Sequence, residues 1–175
     1  GTESFLLALA ETLEEPDGPT AARLHCLMDL ATRALVAFAR ACLEAGADIV
    51  MAGDSLASPD MISPGLYREW AWPHEKTFFT AINGIAHERA AATLLHVCGN
   101  TTPILPEMQD TGADILELDH KVNLAEARRI LGNSVCLMGN LDPVGIILQG
   151  APDQVRDASR KAIREAGEGP FILGS

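Results

Sequence analysis

Aromatic residues are scarce, 5% of 175 positions, so the core must be built mainly from Leu, Ile, Val, Ala and Met. Basic residues are outnumbered too: 13 Lys and Arg stand against 24 Asp and Glu, a formal charge of −11. A surface that acidic repels phosphate backbones and anionic lipid, which excludes nucleic acid and membranes as first-choice partners. No apolar run approaches the roughly 20 residues a membrane-spanning helix needs. The apolar stretch Phe5–Ala10 follows Glu3 and has no positive charge before it, so it does not read as a signal peptide. Four cysteines form no disulfide framework; reduced thiols and a cytoplasmic location are expected. No Gly-x-Gly-x-x-Gly and no Walker loop occurs, which disfavours a nucleotide fold. What remains is a globular composition, 47% hydrophobic and 21% charged, of a size that suits one domain.

The spacing predicts a helix over 3–15, a break at Glu14–Pro19, and a long helix capped by Thr20 and running to about Glu44. From Gly46 the chain alternates. Strand-like runs at 48–52, 92–97, 115–118, 134–138 and 171–173 are separated by helical or mixed segments, with Pro64 and Pro73 as local breaks. Gly46-Ala47-Asp48-Ile49 recurs as Gly112-Ala113-Asp114-Ile115: a helix ends in glycine and a buried strand begins three residues later. Strand, helix, strand at this spacing implies right-handed crossovers and a parallel sheet, and the continuous apolar strands imply one covered on both faces. Polar residues gather after each strand, where parallel α/β folds carry their chemistry. A complete (β/α)8 barrel needs roughly 250 residues. The fold expected is therefore α/β, the C-terminal part (about five strands) of a (β/α)8 TIM barrel. Residues 1–175 form a single partial barrel domain: a helical lead-in over 1–45, then alternating strands and helices over 46–175. A half-open sheet has a bare edge, so the chain as given is expected to self-associate.

His96-Val97-Cys98-Gly99 is the sharpest chemical feature. Residues i and i+2 of a strand share a face, which sets His96 beside Cys98 at a strand end. Imidazole and thiolate are both zinc ligands, but a catalytic zinc takes three protein ligands; a buried thiol beside a hydrogen-bonded imidazole is the plain alternative. Asp54 and Ser55 end the first strand, where Asp54 is either a base, an acceptor or a ligand, or simply a turn cap. Glu117 and Asp119 also share a face, and Glu117 in an apolar run needs a partner if buried. Asn100, Asn140 and Asp142 stand at later strand ends, as substrate contacts or as turn residues. Cys136 reads as core. His25, His74 and His87 read as surface or packing residues, and Tyr67, Trp70 and Trp72 as packing a loop.

Several segments together resemble the uroporphyrinogen decarboxylase superfamily. They are Glu44–Asp48 into Gly53-Asp54-Ser55, Met61-Ile62-Ser63-Pro64, Trp72-Pro73, His96–Thr101, Gly112-Ala113-Asp114, Gly139–Pro143 and Ile172–Ser175. Within that superfamily His96-x-Cys98-Gly99 resembles the corrinoid-dependent methyltransferase branch. The resemblance implies a (β/α)8 barrel and a catalytic zinc held by His96, Cys98 and a third cysteine expected just beyond Ser175. It implies that zinc converts a thiol into the thiolate that takes a methyl group from a methyl-corrinoid on a partner protein. Asp54, Glu117 or Asp119 would then orient substrate or complete the metal shell, with Ser55, Asn100, Asn140 and Asp142 as substrate contacts. The chain as given is expected to bind zinc weakly and not to turn over. The acceptor is a small-molecule thiol such as coenzyme M, a folate or another nucleophile.

Two other functions compete. A uroporphyrinogen decarboxylase would need cations for the substrate's carboxylate arms, and Arg68 and Lys121 are the only basic residues expected near the strand-end loops. A non-catalytic corrinoid- or porphyrin-binding module would show spectral change without turnover.

Overall fold

The computed structural model describes residues 2–175. Helix α1 spans Thr2–Glu14 and α2 Pro19–Glu44. Gly18, not Thr20, is the N-cap of α2, and Pro19 occupies the first turn. A proline there loses no hydrogen bond and arrives with helical φ, so the helix starts two residues earlier than the Thr20 signal suggests. Gly46 ends this segment at φ +95°, a conformation only glycine adopts freely.

Five strands follow: β1 Ile49–Gly53, β2 Ala92–Val97, β3 Ile115–Leu118, β4 Cys136–Asn140 and β5 Phe171–Gly174. They form one sheet in the order β1-β2-β3-β4-β5, every neighbouring pair parallel. A doubly wound sheet reverses its strand order at a switch point; this one never does, which is the topology of a barrel wall. β4 lies two residues later than its expected 134–138 because Val135, buried ahead of it, gives its carbonyl to Arg128.

Between the strands run a short helical turn α3 (Pro64–Leu66), α4 (Trp72–Glu88), α5 (Leu105–Asp110), α6 (Leu124–Leu131) and α7 (Pro152–Glu165). Pro64 and Pro73 do not break the chain. Each sits in the first turn of a helix, and residues 67–71 continue α3 into α4 as a wider turn. Tyr67 and Trp70 are therefore buried helical residues rather than loop packing. Trp70 stacks on His25 of α2 with ring centroids 4.2 Å apart, and with Leu9, Ala21 and Leu24 it fastens α1 to the body.

Register fixes which residues share a face. Ala52, Leu95, Leu116, Leu137 and Phe171 align on the face the helices cover, where Leu95, Leu116 and Leu137 are fully buried. Gly53, His96, Glu117, Met138 and Ile172 align on the other face. That face is not covered: Met51 and Ile49 on it are 59% and 49% exposed. The sequence reads as a sheet buried on both sides; in a barrel the second cover is the opposite wall, and five strands do not close a wall on themselves. Cys136 belongs to this open face and is half-buried there, not core.

Several polar side chains are buried, and one of them braces the core through backbone carbonyls. Arg128 of α6 is buried and donates to the carbonyls of Ala166, Gly132, Val135 and Pro170 at 2.8–3.1 Å. It ties α6 to the ends of β4 and α7 through backbone acceptors.

Candidate active site at the carboxyl ends of the strands

The chain leaves β2 at Val97 and turns at once. Gly99 has φ +78°, and a Cβ there would stand 2.4 Å from Asp60 Oδ2 and 2.6 Å from Ser58 Oγ. Its N–H donates to Asp119 Oδ2 at 2.9 Å, which pins the turn to the end of β3. Cys98 is thereby held in its strand-like orientation. Its Sγ stands 3.2 Å from His96 Nε2, so imidazole and sulfur share a face as the i, i+2 spacing predicts.

Two neighbours complete the group. Glu117, the register partner of His96 on β3, places Oε2 3.1 Å from His96 Nδ1. The distance is that of an ion pair, but the carboxylate lies off the N–H direction, and Nδ1 has no aligned hydrogen bond among the described residues. Ser55, one residue past the Asp54 that follows β1, places Oγ 3.1 Å from Cys98 Sγ. Four residues from three strand ends thus converge: Ser55, His96, Cys98 and Glu117.

The other expected site residues hold the rim in shape. Asp119 accepts from the backbone of Gly99 and of Lys121 and stands 2.9 Å from His120 Nδ1. Burial alone would raise its carboxyl, but the two backbone donors together with the nearby His120 and Lys121 outweigh burial and hold it below the usual range. Asn140 Nδ2 donates to the carbonyls of Asp119 and Val122 at 3.1 and 2.6 Å. Asp142 caps the turn at Pro143–Leu148 through the N–H groups of Val144 and Gly145, and these donors keep its carboxyl low. Asn100 closes on Thr102, and Asp54 caps the turn Ser55–Ala57 through Ala57 N–H. The ordinary turn and cap roles weighed for Asp54, Asn100 and Asp142 are what their side chains perform.

Three features lie outside the sequence reading. Lys121 Nζ pairs with Asp60 Oδ2 at 2.7 Å across 61 residues, closing the rim above Gly99. No local signal marks that pair. Arg68 likewise pairs with Glu107, at 2.5 Å. On α4, Glu75 is buried and accepts from Tyr67 Oη at 2.5 Å, while its Oε1 has no partner among the described residues. Burial drives the Glu75 carboxyl up to about 8, with a contribution from the Asp54 charge. Burial raises Asp54 as well. An acid eight residues after a tyrosine on one helical run was the available signal.

Imidazole nitrogen and cysteine sulfur are zinc donors, and ligands about 2.0–2.3 Å from a tetrahedral metal lie about 3.5 Å from each other. The 3.2 Å between His96 Nε2 and Cys98 Sγ suits two such positions. Among the described residues no third His, Cys, Asp or Glu joins them in a metal-holding cluster. The pair fits zinc as part of a donor set.

A parallel sheet in unreversed order, with polar side chains gathered at the carboxyl ends of the strands, has the architecture of part of a (β/α)8-barrel. The family model described as uroporphyrinogen decarboxylase (URO-D) matches residues 8–175, and the chain belongs to that family. It is 35% identical over 148 residues, 85% of its length, to the methylcobamide:CoM methyltransferase MtbA of Methanosarcina mazei. It is 31% identical over 137 residues to the methylcobamide:CoM methyltransferase MtaA of Methanosarcina barkeri, covering 78% of this chain. The uroporphyrinogen decarboxylase of Chlorobium luteolum is 32% identical over 168 residues, 96% of this chain. The solved structure of a methyltransferase from Methanosarcina mazei superposes with a TM-score of 0.73 at 31% identity, covering 83% of this chain and 41% of that one. The chain spans 42%, 38% and 44% of the length of these three curated relatives. No helix among the described residues is long and apolar enough to cross a membrane.

Proposed function

We propose that the protein of which these 175 residues are the strand-end half-site moves a methyl group from a methyl-corrinoid, carried by a partner protein, to a small thiol of the coenzyme M type. The observation that carries this reading is the 3.2 Å approach of His96 Nε2 to Cys98 Sγ on the open face of the sheet. The names of the relatives at 35% and 31% identity support it, since both state methylcobamide as donor and CoM as acceptor.

His96 and Cys98 would hold zinc, with a third ligand supplied from outside these residues. Zinc, when bound, supplies a Lewis acid that lets an incoming thiol lose its proton at neutral pH. Glu117 places its carboxylate on the Nδ1 side of the imidazole, where its charge would favour a proton on Nδ1 and leave Nε2 as the ligand nitrogen. Asp119 fixes the Gly99 turn that aims Cys98, and Asn140 fixes the loop that carries Asp119. Asp54 caps the turn that presents Ser55. Asn100 and Asp142 shape the rim over which substrate enters, and a cytoplasmic setting keeps the thiol reduced.

A decarboxylase of uroporphyrinogen is less well served. Lys121 and Arg68, the rim cations it would need, are already paired with Asp60 and Glu107. The test is zinc content of the intact protein, by elemental analysis, with and without Cys98→Ala. Loss of zinc in the variant, and thiol methylation from methylcobalamin only in the parent, are expected; unchanged zinc would end the proposal. Carbon dioxide release from the porphyrinogen would install the decarboxylase instead.

A further inference from the structure

We infer that Ser55 is a positioning residue for the sulfur of Cys98, a role beyond contact with substrate. The inference adds to the methyltransfer reading and draws on it only where metal affinity is concerned. The sequence places these residues 43 positions apart; the sheet brings Oγ to 3.1 Å from Sγ.

The hydroxyl is not there by a loose side chain on a loose loop. Gly53 is the register partner of His96, and Asp54 N–H donates to the His96 carbonyl at 2.9 Å, so the end of β1 is stitched to β2 at the residue before Val97. Asp54 then turns back and accepts from Ala57 N–H at 3.2 Å, which closes the single turn Ser55–Ala57. Ser55 is the first residue of that turn, so its Cα is fixed relative to β2. Its side chain is exposed, and Cys98 is its only hydrogen-bond partner among the described residues. A free surface serine has water on offer; here the turn geometry directs the hydroxyl at sulfur.

The same sulfur stands 3.2 Å from His96 Nε2, and the Gly99 turn that follows it is locked by Asp119. Sγ thus has both an imidazole nitrogen and a hydroxyl within hydrogen-bond distance. A hydroxyl is a stronger donor than a thiol, and a sulfur carrying negative charge only accepts. Once the sulfur is a ligand, Ser55 O–H donates to it, withdraws charge from it and fixes its direction. Groups that hydrogen-bond a metal's ligands typically change metal affinity 10–100-fold on removal.

Two measurements decide it. In the metal-free chain, the S–H stretch of Cys98 is identified in the infrared by its disappearance in Cys98→Ala. Ser55→Ala is expected to shift that band, and Ser55→Thr, which keeps the hydroxyl, to restore it. A band that Ser55→Ala leaves in place overturns the inference however well the variant folds. In the cobalt(II)-loaded intact protein, Ser55→Ala is expected to weaken metal binding about tenfold and move the sulfur-to-cobalt charge-transfer band to lower energy, with Ser55→Thr near the parent. Equal affinity and an unmoved band also overturn it. A parent that shows the infrared shift but binds no cobalt sinks the zinc reading and leaves the Ser55 contact standing.

Discussion

His96 Nδ1 and Glu117 Oε2 face each other at 3.1 Å across the β2–β3 register pair, on the half-exposed face of the sheet. Glu117 sits in the apolar run Ile115–Leu118, and a carboxylate there is costly unless it meets a cation or a donor. The imidazole stands beside it at ion-pair distance, without an aligned hydrogen bond. Glu117→Gln keeps the shape and removes the charge. Zinc affinity of the intact protein, measured by chelator competition, is expected to fall ten- to a hundredfold. Equal affinity would show that Glu117 does not orient His96.

Glu75 makes stability depend on pH. Its carboxyl, normally near 4.5, is driven up to about 8 by burial. The native state therefore keeps a proton that the unfolded chain has released, and stability falls as pH rises from about 4.5 to about 8. Glu75→Gln, which retains an acceptor for Tyr67, is expected to flatten that slope, with a gain on the order of a few kcal/mol at the alkaline end. Urea unfolding at several pH values checks it; an unchanged slope assigns the dependence to other groups.

Gly99 is needed for its backbone. At φ +78°, with Asp60 and Ser58 oxygens within 2.6 Å of any added Cβ, alanine meets both strain and collision. Gly99→Ala is expected to cost about 1–3 kcal/mol and to separate Cys98 from His96. The expected metal-binding loss at temperatures where the variant is still folded distinguishes this from general destabilisation.

Arg128 is a structural cation with no carboxylate partner among the described residues. Replacing it with methionine fills similar volume but strips donors from the carbonyls of Gly132, Val135, Ala166 and Pro170. The expected cost is about 2–4 kcal/mol in urea unfolding, with Arg128→Lys recovering part of it. A neutral methionine variant would mean that water satisfies those carbonyls.

The order of elements was legible because each strand is a short apolar run closed by glycine and polar residues, and because helices such as α7 and α6 carry one apolar stripe. The parallel sheet followed from connection length alone. The pairing of His96 with Cys98 was legible for the same local reason: side chains two apart on a strand share a face. Thr20, Pro64, Pro73 and the aromatic segment at 67–72 were misread because a proline at a helix start and a proline in a break look alike in sequence. The packing of Trp70 against α1 and α2, and the burial of Tyr67 in the main core, decide between them. Glu117 opposite His96, Ser55 against Cys98, Lys121 over Gly99 and Arg128 among four carbonyls depend on strand register and on loops meeting across 7 to 61 residues. Periodicity in a sequence fixes which way a side chain leaves its own element. Which side chain it meets is set by how elements align, and that alignment is a property of the packed sheet.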